Sequence, residues 1–152
     1  NLQTDYIFEI GLTPNRIDAA SHIGVARDVA AVCQLPIKWP SVENFKTADN
    51  NLPIAIVVED AQACPRYAGI TISNVRVQPS PDWLKNKLTA IGVTPVNNVV
   101  DVTNFICHEM GQPMHAFDAD KIKGSKVIVK TLPAGTKFTT LDNKERTLLD
   151  TD

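Results

Sequence analysis

Cysteine is scarce in this sequence of 152 residues, which contains Cys33, Cys64 and Cys107. The three cysteines are odd in number, widely spaced, and part of neither a CxxC motif nor a Cys/His ligand pair. This pattern argues against a disulfide framework and against a structural zinc site. We therefore expect a cytoplasmic protein, in a reducing compartment, with no metal site in this chain.

An excess of one charge is also lacking, because the 15 basic and 17 acidic residues nearly cancel and are mixed along the chain. A concentrated positive face that binds nucleic acid by itself is not expected, and any RNA contact should be local or assisted. No apolar run is long enough to span a membrane, so we expect no membrane partner. The chain starts at Asn1 without a methionine or a basic leader, which predicts a piece of a longer polypeptide.

The first part of the chain predicts a strand, a turn and a helix. Residues 6–10 are rich in β-forming side chains, and the following residues 13–16 contain the turn formers proline and asparagine. From residue 19 to 32, apolar residues recur at steps of three and four, with Ser21 and Asp18 as candidate caps. An amphipathic helix is therefore expected there.

A change of composition predicts a domain boundary near Asn51. Residues 36–51 carry two prolines and polar residues without a sustained period, which indicates a linker. The β-type run at residues 54–58 then opens a new unit, and residues 67–77 alternate like a half-buried strand. We assign residues 1–35 to the end of one domain and residues 52–152 to the start of another.

Two helices and three short strands are predicted in the rest of the chain. Ser80 is the expected cap of the first helix and Gly92 its stop, and the second helix covers residues 97–110 and ends at Gly111. The β-type runs are residues 127–129, 137–141 and 146–149. Residues 142–144 have the turn chemistry to join the last two runs as a hairpin.

This order predicts an α+β fold, with a mixed sheet of short strands and two packed helices, preceded by a strand-turn-helix remnant of another domain. The last predicted strand has no partner after it. We therefore expect the sheet to continue in sequence beyond Asp152.

The common enzyme motifs GxGxxG, Walker loop, HExxH and GxSxG do not occur. Unusual polar residues are concentrated instead in residues 97–104 (NNVVDVTN) and 111–118 (GQPMHAFD). Asn, Thr and Asp are mediocre helix formers, and local capping or buried hydrogen bonding is the simpler reason for them inside an apolar helix. The alternative is a pocket in which the Thr103 hydroxyl, the Asn104 amide and the His115 imidazole converge on a small polar ligand.

The other chemically interesting side chains have structural interpretations. An isolated histidine such as His115, beside Met114 and Phe117, is by itself more often structural than a base or ligand. The remaining assignments are His22 and His108 as structural or exposed residues on helix faces, Asp118 and Asp120 as turn formers, and Cys107 as a small buried apolar side chain.

Six blocks occur in a defined order along the chain: LTPNR (12–16), SHIGVAR (21–27), RYAG (66–69), PSPDWL (79–84), NNVVDVTN (97–104) and GQPMHAFD (111–118). Together they resemble the β subunit of bacterial-type phenylalanyl-tRNA synthetases. The resemblance implies that residues 1–35 close an N-terminal domain that an OB-fold interrupts. It implies that residues 52–152 are the N-terminal part of the tRNA-editing domain.

The resemblance also implies a site and an activity. Thr103, Asn104 and His115 would line the editing pocket, bind the tyrosine moiety and assist hydrolysis of mischarged Tyr-tRNA(Phe). No residue is assigned as a catalytic nucleophile. The acidic residue that recognises the phenol in the family lies beyond Asp152, so we expect a half-built pocket and no editing by this chain alone.

The implied partners are the synthetase α subunit, in an enzyme built from αβ pairs, and tRNA(Phe). ATP and Mg²⁺ serve the parent ligase at a site elsewhere, and no cofactor is expected in this chain. Two alternatives stay open. The chain could be a non-catalytic scaffold or tRNA-positioning module, or an unrelated stand-alone deacylase, although the latter should contain a complete active site.

Overall fold

The computed structural model of the chain describes residues 5–47, 53–140, 142–150 and 152. The chain divides into two compact units, each built from two separate stretches of sequence. We call them the helical unit, which comprises Asn1–Thr47 and Asn74–Ala116, and the strand unit, which comprises Ala48–Ser73 and Phe117–Asp152.

Among its described residues the helical unit contains three α-helices, and the last of them contacts both others. A short 3-10 turn at Ile17–Ala19 precedes the first helix. The helices are α1 (His22–Cys33), α2 (Asp82–Ala90) and α3 (Asn98–Met110).

Local capping sets the ends of α1. The Ser21 side chain accepts a hydrogen bond from the Gly24 N–H at 3.0 Å, which satisfies one of the amides left unpaired at a helix start. At the other end, Gln34 adopts the left-handed conformation with φ 54° and stops the helix. The predicted cap at Ser21 is confirmed, whereas Asp18 forms an ion pair with Arg16.

Helices α2 and α3 pack against each other in the helical unit. Leu84 and Leu88, one turn apart on α2, are 1% and 0% exposed. Trp83 and Phe105 pack edge to face, with ring centroids 5.6 Å apart, a favourable geometry for two aromatic rings. The predicted packing of these two helices is confirmed.

The strand unit contains two separate two-stranded sheets among its described residues. One is parallel, with Ile56 opposite Val127, and in both of its strands burial alternates from residue to residue. The other is antiparallel, with Phe138 opposite Arg146. The α+β class is therefore confirmed. The strands are β1 (Ala55–Val58), β2 (Lys126–Val129), β3 (Lys137–Thr139) and β4 (Glu145–Thr147).

The predicted hairpin joins β3 and β4. Asn143 adopts a positive φ of 59°, which asparagine tolerates better than most residues. Thr140 N–H donates to the Lys144 carbonyl at 3.0 Å and closes the turn. The hairpin is thus confirmed, with strands shorter than the β-type runs that predicted them. Residue 141 lies outside the described residues.

Two predicted strands are not formed. Residues 6–10 have no strand conformation, and their side chains are exposed, Tyr6 by 83% and Phe8 by 80%. Residues 67–77 are also irregular. A β-strand needs a neighbouring backbone to satisfy its N–H and C=O groups, and the described residues supply none to either segment. The β-rich composition of residues 6–10 and the alternation in residues 67–77 each predicted a strand wrongly.

The predicted domain boundary near Asn51 lies outside the described residues and stays a prediction. Residues 35–47, the described part of the predicted linker and the residue before it, contain no helix or strand. None of the helices in the described ranges is long and apolar enough to cross a membrane.

Candidate functional site

The polar block at residues 97–104 forms the start of α3, and its first asparagine is the helix cap. Asn97 has an extended backbone, and its side-chain oxygen accepts hydrogen bonds from the N–H groups of Val99 and Val100, both at 3.0 Å. Two of the amides that a helix start leaves unpaired are satisfied in this way. For Asn97 the structural interpretation is sufficient.

Asn98, the first residue of α3, binds the segment before α2. Its Oδ1 accepts from the Gln78 N–H at 3.1 Å, and its Nδ2 donates to the Arg76 carbonyl at 2.9 Å. Its own backbone N–H donates to the Gln78 carbonyl at 2.9 Å. The Arg76 carbonyl, in the segment predicted to form a strand, is therefore paired with a side chain instead.

Asp101 is a buried acidic side chain, 1% exposed. Its Oδ2 accepts from the Ser80 hydroxyl at 2.5 Å, and its Oδ1 accepts from the Val96 N–H at 2.8 Å. The prediction that Ser80 caps α2 is wrong. Pro81 stands at the cap position, where its side chain has no hydrogen-bonding group, and the Ser80 hydroxyl is engaged with the buried carboxylate.

Thr103 and Asn104 are the two residues of the block that these structural roles do not account for. Both are half-buried on α3. The Thr103 hydroxyl donates to the Val100 carbonyl at 2.7 Å, the usual bond of a helical threonine to the preceding turn. A hydroxyl that donates one bond still has lone pairs with which to accept another. Within the described part of the chain, the side-chain amide of Asn104 forms no hydrogen bond.

His115 belongs to the same unit, in the exposed segment 111–118 that follows α3. The segment leaves the helix at Gly111, whose φ of 74° is the left-handed conformation that glycine adopts without strain. The predicted stop at Gly111 is thus confirmed. Thr103 and Asn104 are adjacent on one helix, and His115 follows the end of that helix. Their convergence on one ligand stays a prediction.

The remaining candidates have local structural roles. Asp118 accepts from the Asp120 N–H at 3.2 Å and caps the 3-10 turn Ala119–Lys121, as the turn interpretation predicted. The His22 ring lies against the His108 carbonyl, with Nδ1 and O 3.1 Å apart. Cys107 is a half-buried free thiol.

No cluster of three metal-ligating side chains occurs in the residues that the structure describes. The strand unit has a small open cavity of about 110 Å³. It is lined by Asp60, Ala63, Cys64, Val129, Lys130 and Thr131. None of the residues predicted to bind a ligand lies in this wall.

Comparison with known proteins identifies the family. A family model described as "B3/4 domain" matches residues 63–152. The chain belongs to the B3/4 domain family. The matched part of this B3/4 domain protein includes α2, α3 and the segment with His115.

Two curated relatives of this B3/4 domain protein share one name. It is 55% identical over 157 aligned residues to "Phenylalanine--tRNA ligase beta subunit" of Bacteroides thetaiotaomicron, covering 100% of this chain and 19% of that protein. The protein of the same name from Fusobacterium nucleatum is 46% identical over 145 residues, covering 95% of this chain and 18% of the relative. The chain therefore spans about a fifth of the curated relatives it matches, and the resemblance to the β subunit is confirmed.

Sequence patterns missed the connecting roles of Ser80, Asn98 and Asp101 in this B3/4 domain protein. Their partners lie about 20 residues away, with separations of 21 between Ser80 and Asp101 and 20 between Gln78 and Asn98. The sequence contained one indication that Asp101 is buried, because Asp101 stands between two valines on a helix predicted to pack. A buried polar group must find a partner, but its identity depends on the tertiary fold.

Proposed function

We propose that this chain supplies one wall of an editing pocket in phenylalanine-tRNA ligase, at which mischarged Tyr-tRNA(Phe) is hydrolysed. One observation carries the proposal. Three hydrogen-bonding side chains of the block form structural hydrogen bonds, namely Asn97, Asn98 and Asp101. The adjacent Thr103 and Asn104 can still form further hydrogen bonds, and both are half-buried on α3.

The need for such a pocket follows from the chemistry of the two amino acids. Tyrosine is phenylalanine with one added hydroxyl, and a mainly apolar synthetic pocket cannot strongly reject an analogue that only adds a hydroxyl. A second site that hydrogen-bonds the phenol reverses the preference. A phenylalanyl ester would leave polar groups of that site unpaired, at about 1–3 kcal/mol each.

In the proposed reaction a water molecule is the nucleophile. Its oxygen attacks the carbonyl carbon of the tyrosyl ester, and the bond between that carbon and the terminal ribose oxygen of the tRNA breaks. A proton from the water passes to the ribose oxygen, which leaves as a hydroxyl group of the tRNA, and free tyrosine is released. The step needs no metal or covalent intermediate, only a well-placed water and stabilisation of the negative charge on the carbonyl oxygen.

Thr103 and Asn104 suit positioning roles in this step. The Thr103 hydroxyl, already a donor to the Val100 carbonyl, can accept a hydrogen bond from water or from the substrate's amino group. The Asn104 amide can donate to the ester carbonyl and accept from water. We assign His115 to orientation of the ester and water, and not to proton abstraction.

The wider proposal concerns the parent protein, of which this chain spans about a fifth. We propose that the ligase pairs this β subunit with an α subunit, binds tRNA(Phe) and works in the cytoplasm. ATP and Mg²⁺ are proposed to act at a synthetic site outside this chain. The boundaries at residues 35 and 51 are proposed as those of the preceding domain and the linker.

The experiment uses the full-length ligase with both subunits. His115→Ala is expected to slow hydrolysis of preformed Tyr-tRNA(Phe) by about tenfold or more, in the range of a lost positioning contact. Phenylalanine activation, followed by ATP–pyrophosphate exchange, should change less than about twofold.

Asn86→Ala serves as the matched control, because Asn86 is an exposed residue of α2 in the same unit. It should leave both reactions unchanged. Equal losses of hydrolysis and activation in His115→Ala would contradict the proposal. A second result would also contradict the proposal: calorimetric titration shows tyrosine binding to the wild-type ligase, but the enzyme does not hydrolyse Tyr-tRNA(Phe). That result is expected of a non-catalytic tRNA-positioning module.

A further inference from the structure

The buried Asp101 joins three segments of the helical unit. It stands in the first turn of α3, and its two carboxylate oxygens accept from the Ser80 hydroxyl just before α2 and from the Val96 N–H in the connection between the helices. Both side chains of the Ser80–Asp101 pair are buried, at 5% and 1% exposure. Among the described residues, no basic side chain forms an ion pair with Asp101.

A buried carboxylate in this position is unfavourable for the stability of the fold. Removing a charge from water carries a penalty that hydrogen bonds only partly offset, and a well-packed apolar side chain is often as stabilising or more so. The start of a helix reduces the penalty because its partial positive charge favours an anion. The carboxylate contributes directional contacts, because its two hydrogen bonds form in only one orientation of α3.

That orientation determines where Thr103 and Asn104 stand. Successive residues of an α-helix are about 100° apart around its axis, so Thr103 lies about 200° from Asp101 and Asn104 about 60° from it. A helix held by Asp101 on its inner side cannot rotate without moving both. An error of about 1 Å in a positioned group can cost about 100-fold in rate.

We propose that Asp101 is a positioning residue of the editing pocket, which holds α3 through Ser80 and Val96 and thereby aims Thr103 and Asn104 at the ester. This inference rests on the proposed function. Asp101 touches neither water nor substrate in the reaction and acts only through Thr103 and Asn104.

The test measures Tyr-tRNA(Phe) hydrolysis by the full-length ligase carrying Asp101→Ala. We expect kcat to fall by about 10–100-fold and KM to change by less than about threefold, because the substrate still binds while its ester is poorly aligned. Asp101→Asn should recover most of the loss, since its amide oxygen can still accept from the Val96 N–H. Asp82→Ala is the control, an acidic residue in the first turn of α2 whose carboxylate is exposed.

A double-mutant cycle separates positioning from a general loss of stability. In a Thr103→Val, Asn104→Ala background, Asp101→Ala should cost less than about twofold more, because the groups it aims are already absent. Fully additive losses would overturn the proposal, as would an equal fall in phenylalanine activation. If Asp101→Ala does not fold, Ser80→Ala replaces it and should lower kcat in the same direction by a smaller factor.

The outcomes distinguish this inference from the proposed function. If Thr103→Val and Asn104→Ala leave hydrolysis unchanged, the pocket assignment itself fails and the positioning role fails with it. If those variants lose hydrolysis while Asp101→Ala keeps the wild-type kcat, only the positioning role is overturned.

Discussion

Asn98 and Gln78 are joined by two hydrogen bonds, one from the Gln78 N–H to Asn98 Oδ1 at 3.1 Å and one from the Asn98 N–H to the Gln78 carbonyl at 2.9 Å. Together with the bond from Asn98 Nδ2 to the Arg76 carbonyl, they pair backbone groups of residues 76 and 78, which lie in no strand. Because Asn98 begins α3, the same contacts connect the segment before α2 to the helix that carries Thr103 and Asn104.

Replacing Asn98 with alanine should destabilise the helical unit. The substitution removes the side-chain hydrogen bonds to Gln78 and Arg76, each with a net contribution of about 0.5–1.5 kcal/mol. The expected loss is about 1–3 kcal/mol in the free energy of unfolding, measured by urea denaturation. Asn86→Ala, on the exposed side of α2, should change it by less than about 0.5 kcal/mol. Equal effects of the two substitutions would count against this role for Asn98.

A methyl group at Gly24 should be poorly tolerated. A Cβ built on Gly24 would lie 2.7 Å from Ala19 Cα and 2.9 Å from the Ala19 carbonyl carbon. These contacts are with backbone, so α1 or the preceding turn must move. Although alanine favours helices by about 1 kcal/mol over glycine, we expect Gly24→Ala to lower the free energy of unfolding by about 1–3 kcal/mol.

Gly11→Ala is the matched control for Gly24→Ala, because nothing lies within 4 Å of the added methyl group. Its effect on the free energy of unfolding should stay within about 0.5 kcal/mol. A Gly24→Ala variant as stable as Gly11→Ala would show that α1 and the turn before it are not in close contact.

The cap of α1 can be tested at a single position. Ser21→Ala removes the acceptor of the Gly24 N–H and should cost about 1 kcal/mol, whereas Ser21→Asp keeps an oxygen acceptor and should retain most of the stability. Thermal unfolding followed by circular dichroism measures both variants. The prediction does not survive if alanine and aspartate give the same midpoint temperature.

The role proposed for Thr103 depends on its hydroxyl and not on its methyl group. Thr103→Val keeps the branched shape and removes the hydroxyl, and Thr103→Ser keeps the hydroxyl. In the full-length ligase we expect Thr103→Val to slow Tyr-tRNA(Phe) hydrolysis by about tenfold or more, and Thr103→Ser to retain more than about half of the rate. The opposite order would indicate a packing role on α3.

Asp18 should make stability depend on acid pH. The side-chain hydrogen bond from the Arg16 guanidinium lowers the pKa of Asp18 below its ordinary value of 3.8, so the folded state favours the charged carboxylate. The stabilisation is complete above the ordinary pKa and is lost as the pH falls through the lowered folded value. Asp18→Asn should therefore be less stable than the wild type at neutral pH, and this difference should shrink as the pH falls through the lowered folded pKa of Asp18.

Salt provides the check on this assignment. Because Arg16 and Asp18 are exposed, with side-chain exposures of 39% and 50%, added salt should reduce the difference between Asp18→Asn and the wild type. A difference that persists unchanged at about 1 M salt would mean that Asp18 acts through another contact.

The three helices and the β3–β4 hairpin were predicted, because their signals lie within a few residues of the structure they specify. The resemblance to the β subunit, and not a local pattern, singled out Thr103 and Asn104. Residues 6–10 show the limit of composition. They have strong β-forming side chains and form no strand, since strand formation depends on a neighbouring backbone.

The sequence by itself determined the presence of α1, the end of α3 at Gly111 and the relationship to the β subunit. The signals for the two helices lie in neighbouring residues, and the relationship lies in six short blocks in a defined order. Only the tertiary structure decided that Ser80 gives its hydroxyl to Asp101 and that Asn98 holds Gln78. The physical reason is that a buried polar group must be paired, while the fold determines which distant group comes within hydrogen-bonding distance. Those hydrogen bonds account for the other polar side chains of the block, and they leave Thr103 and Asn104 as its two candidates for binding a ligand.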